Sequence, residues 1–468
     1  MKNPAAAILL VLAFAYAISA QSGDTFATDA IIERVITAND ASQSYALYLP
    51  AGYDPKTSYP AIYVFDPGGR GVNGVTTYRK AAAKFGYIVI GSNNSQNGLD
   101  TAKLNTILNE LWQDSHQRLA IDDKRVVAAG LSGGARVASS IANACKCAFA
   151  VVGSGAGFSP GVAGTSKSLP FIFLGTVGVD DLNYPELREL QKRLTSAGVA
   201  NRLLTFDGGH QWPPEQIVDE ALEWLEIRSM KAGLRARDDV FVRAAIRNRE
   251  SNGDQRLATK DWLGAREAYA SAVDDMTGLA DVSTVTKKLA DLENSPDYKR
   301  TVKADADAID KQNSLMSEIL SLERGLPDPD RRTDSFAAIR DKIQGLRSRV
   351  DDAEDSPDRR IARRVTNSIF IGAIEAATLR YEPAKDYEMA ITELELAALA
   401  NPKSAGVPFQ KARIYALKGD KKKALRSLSE ALAAGSPDVS RIANDPAFAS
   451  LKDEAGFRSI IAAKTSAQ

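Results

Sequence analysis

The sequence predicts an α/β domain with a mostly parallel sheet, followed by an all-helical region. Between residues 40 and 230, short β-rich runs alternate with segments of helical periodicity, a pattern typical of parallel strands joined by helices. Beyond residue 230, glycines and β-branched runs become sparse, charges become dense, and every segment has helical periodicity. The chain of 468 residues is long enough for two or three domains.

Seven strands are predicted in the first domain, which we place at residues 24–230. They lie at 44–49, 61–65, 87–90, 125–129, 149–152, 171–174 and 202–206. The helix predicted over 101–118 has apolar residues at three- and four-residue steps, among them Leu104, Leu108 and Leu111, and such a stripe packs on a core. Further helices are predicted over 185–194 and 215–227.

The end of the helical region contains an internal repeat. Two segments align at an offset of 34 residues, and the aligned pairs are Asp386 with Asp420, Ala390 with Ala424, and Leu394 with Leu428. A 34-residue period of helix pairs is that of the tetratricopeptide repeat, which we predict for residues 381–468. A segment that includes Asp261 matches the same register. For residues 231–380, divergent repeats and an antiparallel bundle both remain open.

The first twenty residues have the composition of a secretory signal peptide. Lys2 precedes an apolar run over residues 5–16, and small residues suited to cleavage follow near residues 17–20. An uncleaved anchor is the alternative, although the run is shorter than the ~20 residues of a spanning helix. We therefore expect a secreted or periplasmic protein with no membrane span after removal of residues 1–20.

Charge and cysteine usage restrict the partners and the covalent framework. The 59 basic and 59 acidic residues cancel, so no overall field attracts nucleic acid or an anionic membrane. The two cysteines, Cys145 and Cys147, are one residue apart, a spacing that strains a disulfide. We expect buried thiols, with a bridge as the less favoured alternative.

A glycine-flanked serine follows the fourth predicted strand and precedes a helix. Gly130, Ser132 and Gly134 have the G-x-S-x-G spacing of a nucleophile elbow, in which a strained turn exposes the serine and the glycines remove Cβ clashes. The helix that begins near Gly134 directs free N–H groups toward the same place. The alternative is an ordinary strand–turn–helix junction.

An acid and a histidine follow the serine in chain order. Asp180 and Asp181 come after the sixth predicted strand, and His210 comes after the last one. A histidine base activates the serine, and an aspartate fixes the tautomer of the ring and stabilises the imidazolium. An ordinary loop histidine and a solvated turn are the alternatives. The chain has only one other histidine, His116, which we expect at the surface.

An acyl-transfer site also needs two N–H donors for the oxyanion. Gly133, the residue after the serine, is the predicted first donor. The second is predicted at Gly68 or Gly69, in the glycine-rich loop after the strand over 61–65. A loop without a catalytic role is the alternative.

Taken together, these motifs resemble the α/β-hydrolase superfamily, and within it the capless esterases related to polyhydroxyalkanoate depolymerases and feruloyl esterases. The likeness covers residues 40–230 and rests on LYLPAGYDPKTSYPAIYVFDPGG, GLSGG, GVDDLNY and GGHQWPP. It favours Asp181 as the acid, three residues after Gly178. The family's His-Gly-Gly oxyanion motif is replaced here by Asp66-Pro67-Gly68-Gly69. The C-terminal region resembles tetratricopeptide proteins, which implies a peptide or protein partner.

The sequence therefore predicts an exported serine hydrolase that cleaves carboxylic esters through an acyl-enzyme, without metal or organic cofactor. With little chain available for a lid, an open site for bulky or polymeric esters is expected. A serine peptidase of the same fold is one alternative. An inert periplasmic scaffold that acts through its repeats is the other. A fragment ending near residue 230 is expected to fold and to keep its activity.

Overall fold

A computed structural model describes residues 25–163, 169–435 and 439–465. The predicted signal peptide, residues 1–20, lies outside these ranges. The chain divides into two compact units, Met1–Ala306 and Asp307–Gln468. Within the described ranges, no helix has both the length and the apolar character needed to cross a bilayer.

The first unit is built on one eight-stranded sheet. Its strands are β1 (Ile31–Ile36), β2 (Ser44–Tyr48), β3 (Tyr59–Phe65), β4 (Ile88–Ser92), β5 (Ile121–Leu131), β6 (Ala150–Ser154), β7 (Ile172–Gly178) and β8 (Asn201–Phe206). They lie in the order β1-β2-β4-β3-β5-β6-β7-β8. Strand β2 is antiparallel to both of its neighbours, and all pairs from β4 to β8 are parallel. The carboxyl ends of β3 to β8 therefore meet at one edge, where an α/β sheet places its site.

Helices cover both faces of this sheet. The described helices of the first unit are α1 (Gly71–Phe85), α2 (Thr101–Arg118), α3 (Gly133–Cys145), α4 (Pro160–Ala163), α5 (Tyr184–Ser196), α6 (Glu215–Lys231), α7 (Asp239–Ala258), α8 (Trp262–Met276) and α9 (Ser283–Asn294), followed by the start of α10 (Pro296–Glu323). Helices α1 and α6 pack on one face around Val64, Val152 and Trp224. Helices α2 and α3 pack on the other face, where Leu111 and Ile141 contribute to an apolar lining. The predicted α/β class is confirmed, and so is the helix over 101–118.

The first strand of the sheet was not predicted. Among the described residues, strand β1 lies at the sheet edge and pairs with β2 alone, with an irregular register between Ile32 and Val35. Its residues are exposed or half-buried except Val35. An edge strand of this kind lacks the continuous apolar run by which the buried parallel strands were recognised.

The two cysteines form a disulfide, so the expectation of buried thiols is wrong. Cys145 ends α3, and Lys146 has a left-handed backbone with φ of 54°. The chain reverses there and brings the Cα atoms of Cys145 and Cys147 within 5.1 Å, a normal span for a disulfide. The left-handed turn supplies the geometry that the spacing alone did not suggest.

His116 was expected at the surface, but its ring is packed into the fold. Its ring stacks on Trp112 with centroids 3.9 Å apart. Nδ1 lies 3.1 Å from the hydroxyl of Tyr63, and Nε2 lies 3.1 Å from Asp123 Oδ1. The hydrogen bond from His116 lowers the pKa of Asp123. His116 therefore has a structural role on the α2 face of the sheet.

Helices α7 to α9 belong to the same compact unit as the sheet, beyond the predicted boundary at residue 230. Trp224 on α6 donates its indole N–H to Asp275 on α8 at 2.9 Å. Arg249 on α7 donates to the other oxygen of Asp275 at 2.7 Å. Arg249 and Asp275 are both 4% exposed, so they form a buried ion pair. Removing one partner of such a pair costs about 3–5 kcal/mol.

The second unit is all-helical. It contains the rest of α10, then α11 (Pro329–Val350), α12 (Pro357–Glu375) with a π-helical turn at Ala376–Tyr381, α13 (Tyr387–Ala400), α14 (Gly406–Lys418), α15 (Lys421–Ala433), α16 (Val439–Asn444), a 3-10 segment at Pro446–Leu451, and α17 (Ala455–Thr465). One apolar cluster contains Ile361 and Leu394, and another contains Leu428 and Phe448. The predicted helical region is therefore confirmed.

Three aspartates that share the predicted repeat register begin helices in the same way. Their φ and ψ angles are −80° and 75° at Asp261, −85° and 74° at Asp386, and −82° and 76° at Asp420. Each carboxylate accepts a hydrogen bond from the backbone N–H three residues later, and the residue before each aspartate has a positive φ. This cap satisfies a helix N–H that would otherwise lack a partner. The tetratricopeptide assignment of residues 381–468 stays a prediction.

A fragment ending at residue 306 should be more stable than one ending at residue 230. The shorter fragment lacks Arg249 and Asp275 and leaves the buried indole N–H of Trp224 without its acceptor, so its thermal midpoint should be lower by about 10 °C or more. Circular dichroism melting of the two fragments tests this. Equal midpoints would instead place the domain boundary at residue 230.

Candidate active site

Ser132 lies at the turn between β5 and α3 in a strained backbone conformation. Its φ is 54° and its ψ is −121°, and a non-glycine residue at such angles costs about 1–3 kcal/mol. The flanking glycines make the turn sterically feasible. A Cβ on Gly130 would lie 2.3 Å from the carbonyl carbon of Gly134, and a Cβ on Gly134 would lie 1.9 Å from the carbonyl oxygen of Phe65. The strained turn and close approach are those of a nucleophile elbow.

Helix α3 begins immediately after the serine. It starts at Gly133, and the N–H groups of Ala135 and Arg136 donate to the carbonyl of Ser132, so those of Gly133 and Gly134 are the ones without a partner in the helix. Together with the helix dipole, such groups favour negative charge at this end. Gly133 therefore remains in the position predicted for the first oxyanion donor.

His210 and Asp181 are in direct contact. The Nδ1 atom of His210 lies 3.0 Å from both Oδ1 and Oδ2 of Asp181. Asp181 is fully buried, and the side chain of His210 is 12% exposed. The same carboxylate accepts the backbone N–H of Asn183 at 2.8 Å. A buried carboxylate at this distance holds the imidazole with Nδ1 protonated and leaves Nε2 as the basic nitrogen.

The end of β6 lies between the serine and the histidine. The backbone N–H of Ser132 donates to the carbonyl of Ser154 at 2.8 Å. A Cβ on the next residue, Gly155, would lie 2.8 Å from Asp181 Oδ2 and 3.1 Å from the His210 ring. Among the described residues, no hydrogen bond links Ser132 Oγ to His210. In free serine hydrolases this contact is often long and tightens when substrate binds.

Asp180, the residue before the acid, is also buried. Asp180 is only 9% exposed, and the Asn183 N–H goes to Asp181 itself. The backbone N–H of Asp180 donates to the carbonyl of Gly208 at 2.9 Å. This bond connects residues 179–183, the acid loop, with residues 207–214, the histidine loop. Asp180 is therefore part of the packed loop pair.

Neither glycine predicted as the second oxyanion donor has a free N–H in this structure. Gly68 donates to Asp66 Oδ1 at 2.8 Å, and Gly69 donates to the carbonyl oxygen of Asp66 at 3.1 Å. An aspartate before Pro-Gly-Gly readily accepts from the backbone two residues on. The structure thus disagrees with the assignment of Gly68 or Gly69, because Asp66 uses both N–H groups to close the turn.

Asp66 links three parts of the site, a role that the sequence reasoning missed. Besides Gly68, its carboxylate accepts from Arg70 Nε at 3.0 Å and from the indole N–H of Trp212 at 3.3 Å. Its side chain has no exposed surface, whereas that of Arg70 is 61% exposed. Asp66 therefore connects three segments: residues 66–70, which we call the oxyanion loop, the start of α1, and the histidine loop.

The ring of Trp212 packs against Tyr78 of α1. The two rings meet edge to face, with centroids 6.4 Å apart and an interplanar angle of 87°. Burial raises the pKa of Tyr78 above its ordinary value, so the phenol stays neutral. The histidine loop thus rests on a fixed aromatic contact two residues after His210.

Several solved hydrolases are similar to this chain at low sequence identity. S-formylglutathione hydrolase (FrmB) of Staphylococcus aureus is 14% identical over 43% of this chain and 99% of its own, with a TM-score of 0.35. The fluorophosphonate-binding serine hydrolase F (FphF) of the same organism is 15% identical over 42% of this chain and 98% of its own, with a TM-score of 0.36. Esterase Est2 of Thermogutta terrifontis is 15% identical over 44% of this chain and 96% of its own, with a TM-score of 0.33. No protein-family model matches the chain, and no curated protein does.

Replacing Asp181 with Asn should lower kcat by about 10⁴-fold on any substrate turned over at Ser132, because the ring then takes the wrong tautomer. Asp180→Asn is the matched control and should stay within about tenfold of the wild type, since its backbone contact to Gly208 is unaffected. Steady-state kinetics of both variants test which aspartate is the acid. The reverse order of effects would assign the acid to Asp180.

Replacing Asp66 with Asn should destabilise the first unit by about 1–3 kcal/mol, because the amide cannot accept from all of the donors that surround the buried carboxylate. Urea unfolding of the first unit measures the change. Lys80→Ala is the control, since it removes an exposed ion pair between α1 and α6 and should cost less than about 1 kcal/mol. If Asp66→Asn lowers the free energy of unfolding no more than Lys80→Ala does, the three contacts of Asp66 are energetically unimportant.

Proposed function

We propose that this chain is an exported serine hydrolase that cleaves carboxylic esters through an acyl-enzyme, with Ser132, His210 and Asp181 as its triad. The observation that carries the proposal is the double contact of the buried Asp181 carboxylate with His210 Nδ1, next to a serine held in an elbow turn. An ordinary loop histidine needs neither the buried anion nor the neighbouring strained serine.

The proposed reaction follows from these positions. Ser132 Oγ attacks the ester carbonyl carbon while His210 Nε2 takes its proton, and Asp181 stabilises the imidazolium that forms. The backbone N–H of Gly133 donates to the oxygen that becomes negatively charged. His210 then returns the proton to the leaving alcohol. A water activated by the same histidine releases the acid and restores Ser132.

A bulky or polymeric ester is the proposed substrate class. The connections at the carboxyl edge of the sheet are short: residues 66–70, 93–100, 179–183 and 207–214 follow β3, β4, β7 and β8. A longer connection, residues 155–171, follows β6 and contains the short helix α4. Little chain is therefore available for a lid, which favours an open site over an enclosed pocket for one small ester.

Export and a partner for the helical unit complete the proposal. The signal-like first twenty residues support export, and the Cys145–Cys147 disulfide is typical of an oxidising compartment. The repeated aspartate caps at Asp386 and Asp420 support a helical-repeat unit that binds a peptide or protein.

A fluorophosphonate probe tests the proposed nucleophile. The wild-type protein should be labelled once and should hydrolyse chromogenic esters, whereas Ser132→Ala should do neither. Ser154→Ala, a second serine at the same sheet edge, is the matched control and should keep the label. A folded wild-type protein that takes no label and cleaves no ester would favour the inert scaffold. Faster cleavage of peptides than of esters would favour the peptidase.

A further inference from the structure

We infer that the carboxamide of Asn97 supplies the second donor of the oxyanion hole. This inference rests on the acyl-enzyme reaction proposed above and adds a catalytic residue to it. Asn97 lies in the connection between β4 and α2, one position after Gln96, which pairs with Gly68 of the oxyanion loop in an isolated β-bridge.

The N–H groups of the three glycines that follow β3 are already used within the fold. The N–H groups of Gly68 and Gly69 both donate to Asp66. The N–H of Gly71 donates to the side chain of Asn93 at 3.1 Å. A tetrahedral oxyanion stabilised only by Gly133 would lack one of its two usual donors.

The side chain of Asn97 lies against the first donor residue. A Cβ built on Gly133 would lie 1.9 Å from Asn97 Oδ1, 2.8 Å from its Cγ and 3.1 Å from its Nδ2. The carboxamide thus occupies the space beside Gly133 that any larger residue would fill. This contact also explains why glycine follows Ser132, a position where the elbow geometry alone does not require it.

The backbone around Asn97 is fixed to the oxyanion loop. The N–H of Asn97 donates to the carbonyl of Pro67 at 2.8 Å. With the Gln96–Gly68 bridge on one side, this bond holds the residue in place before substrate arrives, and Asn97 is half-buried. The backbone of Asn97 is therefore fixed in advance, and only its side-chain amide has to turn for Nδ2 to reach the oxyanion.

The proposed contact forms as the carbonyl becomes tetrahedral. Ser132 Oγ bonds to the carbonyl carbon, its proton passes to His210, and the π electron pair of the carbonyl moves onto the oxygen. The amide of Asn97 first makes a half-turn about its Cβ–Cγ bond, which exchanges the positions of Nδ2 and Oδ1. Its Nδ2–H then donates a hydrogen bond to that oxygen without transferring a proton. Because the negative charge exists mainly in the transition state, the contact should act on kcat rather than on KM.

Two substitutions distinguish a donor from a packing residue. Asn97→Ala should lower kcat by about 10²–10³-fold with little change in KM, as expected for loss of one oxyanion donor. Asn97→Asp keeps the size of the side chain but places a carboxylate opposite the oxyanion, so it should be less active than Asn97→Ala. A residue that only packs on Gly133 would show the opposite order. The matched control is Asn94→Ala, since Asn94 lies in the same loop but bonds Ser44 and Ser42.

Steady-state kinetics on a chromogenic ester and fluorophosphonate labelling to completion should be measured on the same full-length preparations. The expected result is that all three variants take the full label at Ser132, while only the two Asn97 variants lose turnover. An Asn97→Ala variant within about threefold of the wild-type kcat, or an Asp variant more active than the Ala variant, overturns the inference. Absence of label in the wild-type protein would instead reject the hydrolase proposal.

Discussion

The turn at Ser132 is flanked by three glycines, and the rest of the site is arranged around that turn. A Cβ at Gly130, Gly133 or Gly134 would overlap atoms of the elbow itself, of Asn97 or of β3, respectively. The elbow therefore packs directly on the end of β3, and the N–H of Ser132 binds the end of β6 through the carbonyl of Ser154. The cost of the positive φ at Ser132 is local, and the buried sheet beneath it offsets that cost.

Around this turn, two aspartates fix the loops of the candidate active site. Asp181 holds the ring of His210, and Asp66 holds the oxyanion loop together with Trp212 of the histidine loop. Both carboxylates are buried, so each is stabilised chiefly by the hydrogen bonds it accepts. The histidine loop is thus held from two sides, through the ring of His210 and through the indole of Trp212.

The sequence was most informative where local pattern and tertiary structure agree. Buried parallel strands such as β6 read as short apolar runs, and the glycine spacing around Ser132 defined the elbow. The spacing after Gly178 favoured Asp181, which contacts the histidine. The roles of Asp66 and Asn97 depend on contacts between loops distant in the chain, and no local pattern reports those. The edge strand β1 was missed because it pairs with an irregular register. The disulfide that spans Lys146 was not expected because it depends on the left-handed backbone of that residue.

The proposed mechanism requires that Ser132 becomes covalently acylated during ester hydrolysis. Rapid acid quenching of the protein during turnover of an activated ester, followed by mass spectrometry of its peptides, measures this directly. We expect an acyl adduct on the peptide that contains Ser132, absent when hydrolysis is complete. Ester hydrolysis with no adduct on that peptide, or with an adduct on another residue, would contradict it.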